Sequence, residues 1–194
     1  NDYPVIVTEY ATNGSLERVI DLELRGLSID GWDSTKKLIT IFGIASGMSF
    51  LHSHDIIHRD LKLENILVDD ILFPKIADFG LSKVQRSDNF SGSFKSLSEL
   101  KGTPSYFSPE IIEDCEYTKA GDVYAFGIIV YEIMSSKRAF NGLTLVQILN
   151  AVTKGERPKI TEIVPKAYRQ LIEKCWSQDP KNRPTFDSIV EELQ

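Results

Sequence analysis

Cysteine is nearly absent from this chain. Cys115 and Cys175 are the only two in 194 residues, and they form no CxxC spacing. A disulfide framework or a thiolate zinc site is therefore not expected, and a reducing, cytoplasmic setting fits better than a secreted one. Histidine is also scarce: three residues with no ligand-spaced cluster, so His52 and His54, like Cys115, read as incidental. Long apolar runs are missing too. The longest in the C-terminal half, AFGIIVYEIM, is interrupted by Glu132, whereas a span needs about 20 apolar residues, so no membrane insertion is expected. Basic residues are scattered and the net charge is -6, which argues against nucleic acid or an anionic membrane surface as partner. With 42% hydrophobic and 26% charged residues, the chain has enough apolar material for one packed domain.

The order of patterns predicts a mostly helical α+β domain with a few short strands. YPVIVTEYA (3–11) is strand-like, and NDYPVIVTEY starts as a strand already in progress, so the chain is expected to begin inside a larger domain. Asn13-Gly14 forms a turn and Ser15 is placed to cap a helix. Residues 33–52 form an amphipathic helix, with Asp33 as its cap and Leu38, Ile41, Ala45, Met48 and Leu51 on its apolar side. Ile56-Ile57 and ILV (66–68) read as short buried strands, the second pairing with PKIAD (74–78) across DDILF. Residues 81–108 are long, Ser-rich and poor in large apolar side chains, a combination that marks a functional or disordered segment. A second strong helix, apolar on most sides and hence central, covers 119–135. Shorter helical patterns follow around 144–154, 166–176 and 185–193. No internal repeat or low-complexity tract occurs.

IIHRDLKLENILV (56–68) places His58, Arg59, Asp60, Lys62, Glu64 and Asn65 between two apolar segments. If the two flanking strands of the 66–78 hairpin pair, Asn65 and Asp78 come to one end of it. An amide oxygen and a carboxylate then converge, a hard-oxygen pair of the kind Mg2+ takes when phosphates and waters complete its shell. Lys62 would offer positive charge to a phosphoryl group, and Asp60 would be free to accept a proton. That set suits phosphoryl transfer, where catalysis is mainly positioning and electrostatic stabilisation. Taken one at a time, each residue has a plainer reading: Asp60 as a solvated loop residue, Asp78 as an ordinary turn, Asp122 as the cap of a helix starting at 123, Glu110 and Arg183 as surface charges.

Together, HRDLKLEN (58–65), DFG (78–80), GTPSYFSPE (102–110), DVYAFG (122–127) and CWSQDPKNRPTF (175–186) occur in the order and spacing of the eukaryotic protein kinases, and the chain resembles that family over its whole length. The resemblance implies a protein-kinase-like fold spanning 1–194: the last strand of the N-lobe and the hinge at about 3–14, a mainly α-helical C-lobe with short β-hairpins at about 15–194, and an activation segment at 78–110. It implies ATP and Mg2+ as cofactors and protein substrates as partners. Asp60 would orient the substrate hydroxyl and take its proton, Lys62 would contact the γ-phosphate, and Asn65 and Asp78 would hold Mg2+. Around adenine it implies Thr8 guarding the back pocket, the backbone of Glu9 and Ala11 bonding the base edge, and Leu67 lining the pocket. His58 and Phe79 would stack in the column linking the lobes, with Gly80 completing the turn. Glu110 would pair with Arg183, and Asp122 would accept from the catalytic-loop backbone. Ser108 departs from the pattern, since the family usually has Ala there.

Lys62 within HRDLKLEN and Thr103 within GTPSY are serine/threonine forms, whereas CWSQDPKNRPTF resembles the tyrosine-kinase and tyrosine-kinase-like groups. The combination resembles a tyrosine-kinase-like serine/threonine kinase acting in signal transduction. The family's glycine-rich loop, strand lysine and partner glutamate precede the hinge and are not in this sequence, so the chain alone is expected to be inactive and to expose an apolar face. The alternative reading is a pseudokinase or scaffold lobe that binds protein partners, but Asp60, Lys62, Asn65 and Asp78 are all intact. Arg59 leaves a cation beneath a segment carrying Ser82, Ser87, Ser91, Ser93, Ser96 and Ser98, an arrangement that implies control by an upstream kinase.

Overall fold

The computed structural model describes residues 7–27, 29–84 and 102–194. Packing converges on helix α4 (Lys119–Ser135), whose residues from Gly121 to Ile133 are all buried. A helix that is apolar around its whole circumference has no face to give to water and takes the centre of a domain. Thr118 starts it, its Oγ1 accepting from Gly121 N at 3.1 Å. Helices α2 (Ser34–Ser53) and α6 (Lys166–Cys175) pack against it. The α6 contact is close: a Cβ on Gly127 would lie 2.8 Å from Cys175 Cβ and 3.3 Å from the Trp176 amide nitrogen.

Asp33 caps α2 by accepting from Lys36 N at 2.8 Å. The helix buries Thr40, Ile41, Ile44, Ala45 and Met48 against α4 and α7 (Phe186–Leu193). Leu38, expected on that side, is instead 39% exposed. The helix has two occupied sides. On the second, strand β3 (Pro74–Ile76) lies so close that a Cβ on Gly43 or Gly47 would meet Pro74 or Ile76 at 2.7 and 2.8 Å. The covered surface is set by these glycines as well as by large apolar residues, and Leu38 falls outside both contacts.

Helix α1 (Leu16–Leu24) starts at Ser15, whose hydroxyl accepts from Arg18 N, and buries Leu16, Val19 and Ile20. Strand β2 (Ile66–Val68) pairs antiparallel with β3 in the register Ile66–Ile76, Leu67–Lys75, Val68–Pro74. Asp69 Oδ1 closes the connecting turn by accepting from Ile71 N and Phe73 N at 3.1 and 2.8 Å. A second two-stranded sheet joins β1 (Ile56–Ile57) to β4 (Lys83–Val84). Of the strand expected at 3–11, residues 3–6 lie outside the described residues, and 7–11 carry no strand pairing among those described. Backbone pairing to β2 starts at Asn13, whose amide donates to Val68 O at 3.2 Å, and continues through a Ser15–Leu67 bridge.

The C-terminal half adds α3 (Pro109–Asp114), which periodicity did not suggest, and α5 (Leu145–Thr153), opened by a reciprocal Thr144–Gln147 capping box. Phe107, Ile111 and Leu149 make a small second core between them. No helix among the described residues is long and apolar enough to cross a membrane. Gly127→Ala is expected to lower stability by about 1–3 kcal/mol through overpacking against α6, read as a lower urea midpoint with an unchanged slope.

Candidate active site

Strand β1 delivers the chain to His58 and Arg59, whose backbone amides donate to the two oxygens of Asp122: His58 N to Oδ2 at 2.8 Å and Arg59 N to Oδ1 at 2.9 Å. Arg59 has φ +70°, a left-handed conformation that a branched chain of atoms beyond Cβ rarely adopts without support. Asp122 supplies that support from the first turn of α4 and is 2% exposed. It is not a helix cap, since Thr118 holds that place. A third bond reaches Asp122 Oδ2 from His52 Nε2 at 2.9 Å. His52 was assigned no role from sequence; an isolated histidine in an apolar helix carries no pattern that points to its partner.

Beyond Arg59 the chain gathers four polar side chains. Asp60, 10% exposed at its side chain, has Lys62 Nζ 2.9 Å from its Oδ2. Asn65 Nδ2 donates to Asp60 Oδ2 at 3.0 Å and to the Asp60 carbonyl at 2.8 Å. Lys62 Nζ also donates to Thr103 Oγ1 at 3.1 Å, which brings in the 102–110 segment. A short 3-10 turn at Leu63–Asn65, with Leu63 buried, sets this spacing. Asp60 is thus no freely solvated loop residue.

The β2–β3 ladder continues through Ala77 N to Asn65 O at 2.8 Å, so Asn65 and Asp78 do stand at one end of the hairpin. Asp78 is exposed, has φ +59°, and its Oδ1 accepts from Gly80 N at 3.2 Å. The neighbouring Phe79 ring lies 5.4 Å from the fully buried His58 ring at 56°, and His58 Nε2 meets Ala77 O at 3.1 Å. On the approach to α1, Thr8 and Glu9 are exposed and Ala11 is half-buried. Glu9 ion-pairs with Lys75, and the Ala11 carbonyl accepts from Gly14 N at 3.2 Å. Leu67, on β2, is half-buried.

A buried ion pair and a buried hydrogen bond hold the segment beyond Thr103. Glu110 and Arg183, which singly read as surface charges, form a bidentate pair: Nη1 to Oε1 at 2.7 Å and Nη2 to Oε2 at 2.9 Å. The guanidinium also donates to the carbonyls of Ala120 and Ser177 and lies over the Tyr124 ring. Burial pushes the Tyr124 hydroxyl up to about 12. Glu132, legible in sequence only as a break in an apolar run, accepts from Tyr106 Oη at 2.7 Å and Ala139 N at 2.9 Å. Burial raises its carboxyl above the usual range, against those two bonds. Arg59 rests its guanidinium over Tyr117 at 5.3 Å, and Ser82 Oγ donates to His58 O at 3.3 Å. Ser87, Ser91, Ser93, Ser96 and Ser98 lie outside the described residues.

A buried loop pinned by a helical aspartate thus brings together a carboxylate, a lysine, an asparagine and a threonine, with an Asp-Phe-Gly turn at the end of the neighbouring hairpin. The chain belongs to the protein tyrosine and serine/threonine kinase family, whose model matches residues 1–193. It is 39% identical over 188 residues to RGS domain-containing serine/threonine-protein kinase A of Dictyostelium discoideum, covering 97% of this chain and 16% of that protein. It is 37% identical over 191 residues to serine/threonine/tyrosine-protein kinase HT1 of Arabidopsis thaliana, covering 97% of this chain and 46% of that one. Probable serine/threonine-protein kinase drkD of Dictyostelium discoideum is 36% identical over 189 residues, with 96% and 14% covered. The chain spans less than half the length of each of these relatives.

Ser108 is fully buried at the start of α3, makes no side-chain cap, and its hydroxyl has no hydrogen-bond partner among the described residues. A buried hydroxyl without a partner carries a desolvation cost. Ser108→Ala is therefore expected to raise stability by about 1 kcal/mol, measured as an upward shift in the thermal midpoint.

Proposed function

We propose that this chain carries the catalytic centre of a protein serine/threonine kinase that transfers the γ-phosphate of ATP to hydroxyls of protein substrates. The observation that carries the reading is the hydrogen-bonded group of Asp60, Lys62, Asn65 and Thr103. The attacking hydroxyl gives its proton to the Asp60 carboxylate as its oxygen bonds to the γ-phosphorus, and the bond to the β-phosphate oxygen breaks to release ADP. Lys62 has its ammonium between Asp60 and Thr103, where it can meet charge on the transferring group. Holding reactants in line in this way supplies much of the rate of such reactions. Thr8, the backbone of Glu9 and Ala11, and Leu67 would seat the adenine.

The residues present fit Mg2+. Asn65 uses its Nδ2 as the donor toward Asp60, which leaves its amide oxygen for a hard cation, and Asp78 offers an exposed carboxylate. When bound, the ion would neutralise phosphate charge. A cytoplasmic setting agrees with two free thiols, Cys115 and Cys175. A serine or threonine acceptor is favoured by Lys62 and Thr103 beside the base, a site scaled to a short aliphatic hydroxyl.

In the full-length protein, Asp60→Asn is expected to lower kcat by about 10²–10⁴-fold, as for loss of a general base, with the KM for ATP nearly unchanged. Retention of more than about a tenth of wild-type kcat would remove Asp60 from that role. A peptide array answering mainly on tyrosine would overturn the acceptor assignment.

The same reading extends to control. Arg59 faces Tyr117 and has an Nε with no hydrogen-bond partner among the described residues. A phosphate within 87–98 would bring about -1.5 to -2 charge to that guanidinium. Treatment with an upstream kinase is expected to raise kcat/KM about tenfold, a gain of about 1.4 kcal/mol in transition-state stabilisation, and Arg59→Ala to erase the gain. Equal activity before and after phosphatase treatment would end this part of the reading.

A further inference from the structure

The chain between α2 and the catalytic loop is short, and it is held by α4 at two places. Asp122 holds the far end through the His58 and Arg59 amides. Lys119, three residues earlier and so on the same helix face, holds the near end. Its Nζ donates to the His52 carbonyl at 2.7 Å and to Asp55 Oδ1 at 2.7 Å. Those contacts sit where the chain changes direction: Asp55 has φ +57°, and its own amide donates to His52 O at 3.1 Å. The His52 ring connects the two holds, because Nε2 reaches Asp122 Oδ2 while the carbonyl of the same residue accepts from Lys119. The ring is fixed edge-on against Phe186 of α7 at 5.0 Å.

We infer that Lys119 and His52 are positioning residues for phosphotransfer: they fix the exit of α2 on the first turn of α4, and so fix the left-handed Arg59 and the direction of Asp60. Neither touches the reacting atoms. Two left-handed non-glycine residues, Asp55 and Arg59, lie at the two ends of this stretch, and each is held by a side chain of α4. With Lys119 removed, the turn at Asp55 loses both of its side-chain holds, and His52 keeps its two ring contacts and the backbone bond from the Asp55 amide. The loop can then relax at Arg59, and Asp60 leaves its bond with Asn65. Asp60 acts on the acceptor hydroxyl, and the proposed adenine contacts lie outside this stretch, so the loss falls mainly on kcat.

The activity readout rests on the proposed phosphotransfer, so a second readout without turnover accompanies it. Lys119→Met, Lys119→Arg, His52→Phe and His52→Gln are compared with Lys174→Met, which breaks an exposed α6–α7 ion pair of similar length. Turnover is measured in the full-length protein with casein as acceptor and ATP-Mg2+. Hydrogen exchange of the His58 and Arg59 amides is measured by NMR relative to the Ile128 amide in the middle of α4. Lys119→Met and His52→Phe should each lower kcat at least tenfold with KM for ATP unchanged, a loss of about 1.4 kcal/mol. They should also speed exchange at His58 and Arg59 relative to Ile128. Lys119→Arg and His52→Gln keep a donor and should recover most of both. Lys174→Met should change neither. Unchanged relative exchange in Lys119→Met would overturn the inference whatever the activity. Faster exchange with no turnover in the wild type would leave the positioning standing and sink the phosphotransfer reading instead. Proportional changes in kcat and KM, without rescue by Lys119→Arg, would reduce Lys119 to a general packing role and overturn the inference.

Discussion

The Asp122 carboxylate is the contact on which the site depends. It is buried inside a helix whose other residues at that depth are mostly apolar, an environment that is costly for a charge unless its lone pairs are filled. They are filled by the two consecutive amides of a backbone that would otherwise resist its own conformation, and by one imidazole. Helix and loop therefore satisfy each other: the charge needs donors, and the loop needs an acceptor to stay left-handed at Arg59. The rigid core helix thus sets where Asp60 stands, although Asp60 belongs to a loop.

From that anchor outward the arrangement is a relay of short bonds. Asp60 is met by Lys62 and Asn65, Lys62 by Thr103, and the segment carrying Thr103 is tied back to α4 by Tyr106–Glu132 and by Glu110–Arg183, whose guanidinium also donates to the Ala120 carbonyl of α4. Each end of the polar group thus returns to α4, which makes the helix a common reference for the catalytic loop and the segment that faces it. The hairpin bearing Asn65 and Asp78 takes its reference from α2 instead, through contacts at Gly43 and Gly47 too close for a side chain.

Much of this was legible in the sequence, and the reasons differ by element. Helix α4 was readable because an apolar stretch of its length has few alternatives, α2 because its Asp33 cap and its period agree, and α6 and α7 from their periods alone. Asp60, Lys62, Asn65, Asp78 and Thr103 were readable as a joint motif, although each alone looks like an ordinary loop residue. The part that was not legible concerns direction. On a helix buried all round, composition does not say which turn faces the loop, so Asp122 taken alone read as a cap, and only the family resemblance pointed it at the loop backbone. His52 and Lys119 are single residues whose partners lie about 65–70 positions away, with no local pattern to expose them. Leu38 misled because side-chain size was weighed and the two glycines beside it were not. Helix α3 is too short for a period, and it exists because Pro109 can start a helix and Arg183 fixes Glu110.

The burial of the Glu110–Arg183 pair also separates two classes of ionic contact by their response to salt. At physiological ionic strength the screening length is about 8 Å, so mobile ions weaken exposed pairs such as Lys174–Glu192, with side chains 52% and 40% open, and Lys75–Glu9. They do not reach a guanidinium whose side chain is 0% exposed and whose partner carboxylate is 9% exposed. Raising the salt concentration therefore loosens the molecule's surface while leaving α3 fastened to the loop before α7. The attachment of the 102–110 segment is insulated from the ionic composition of its surroundings.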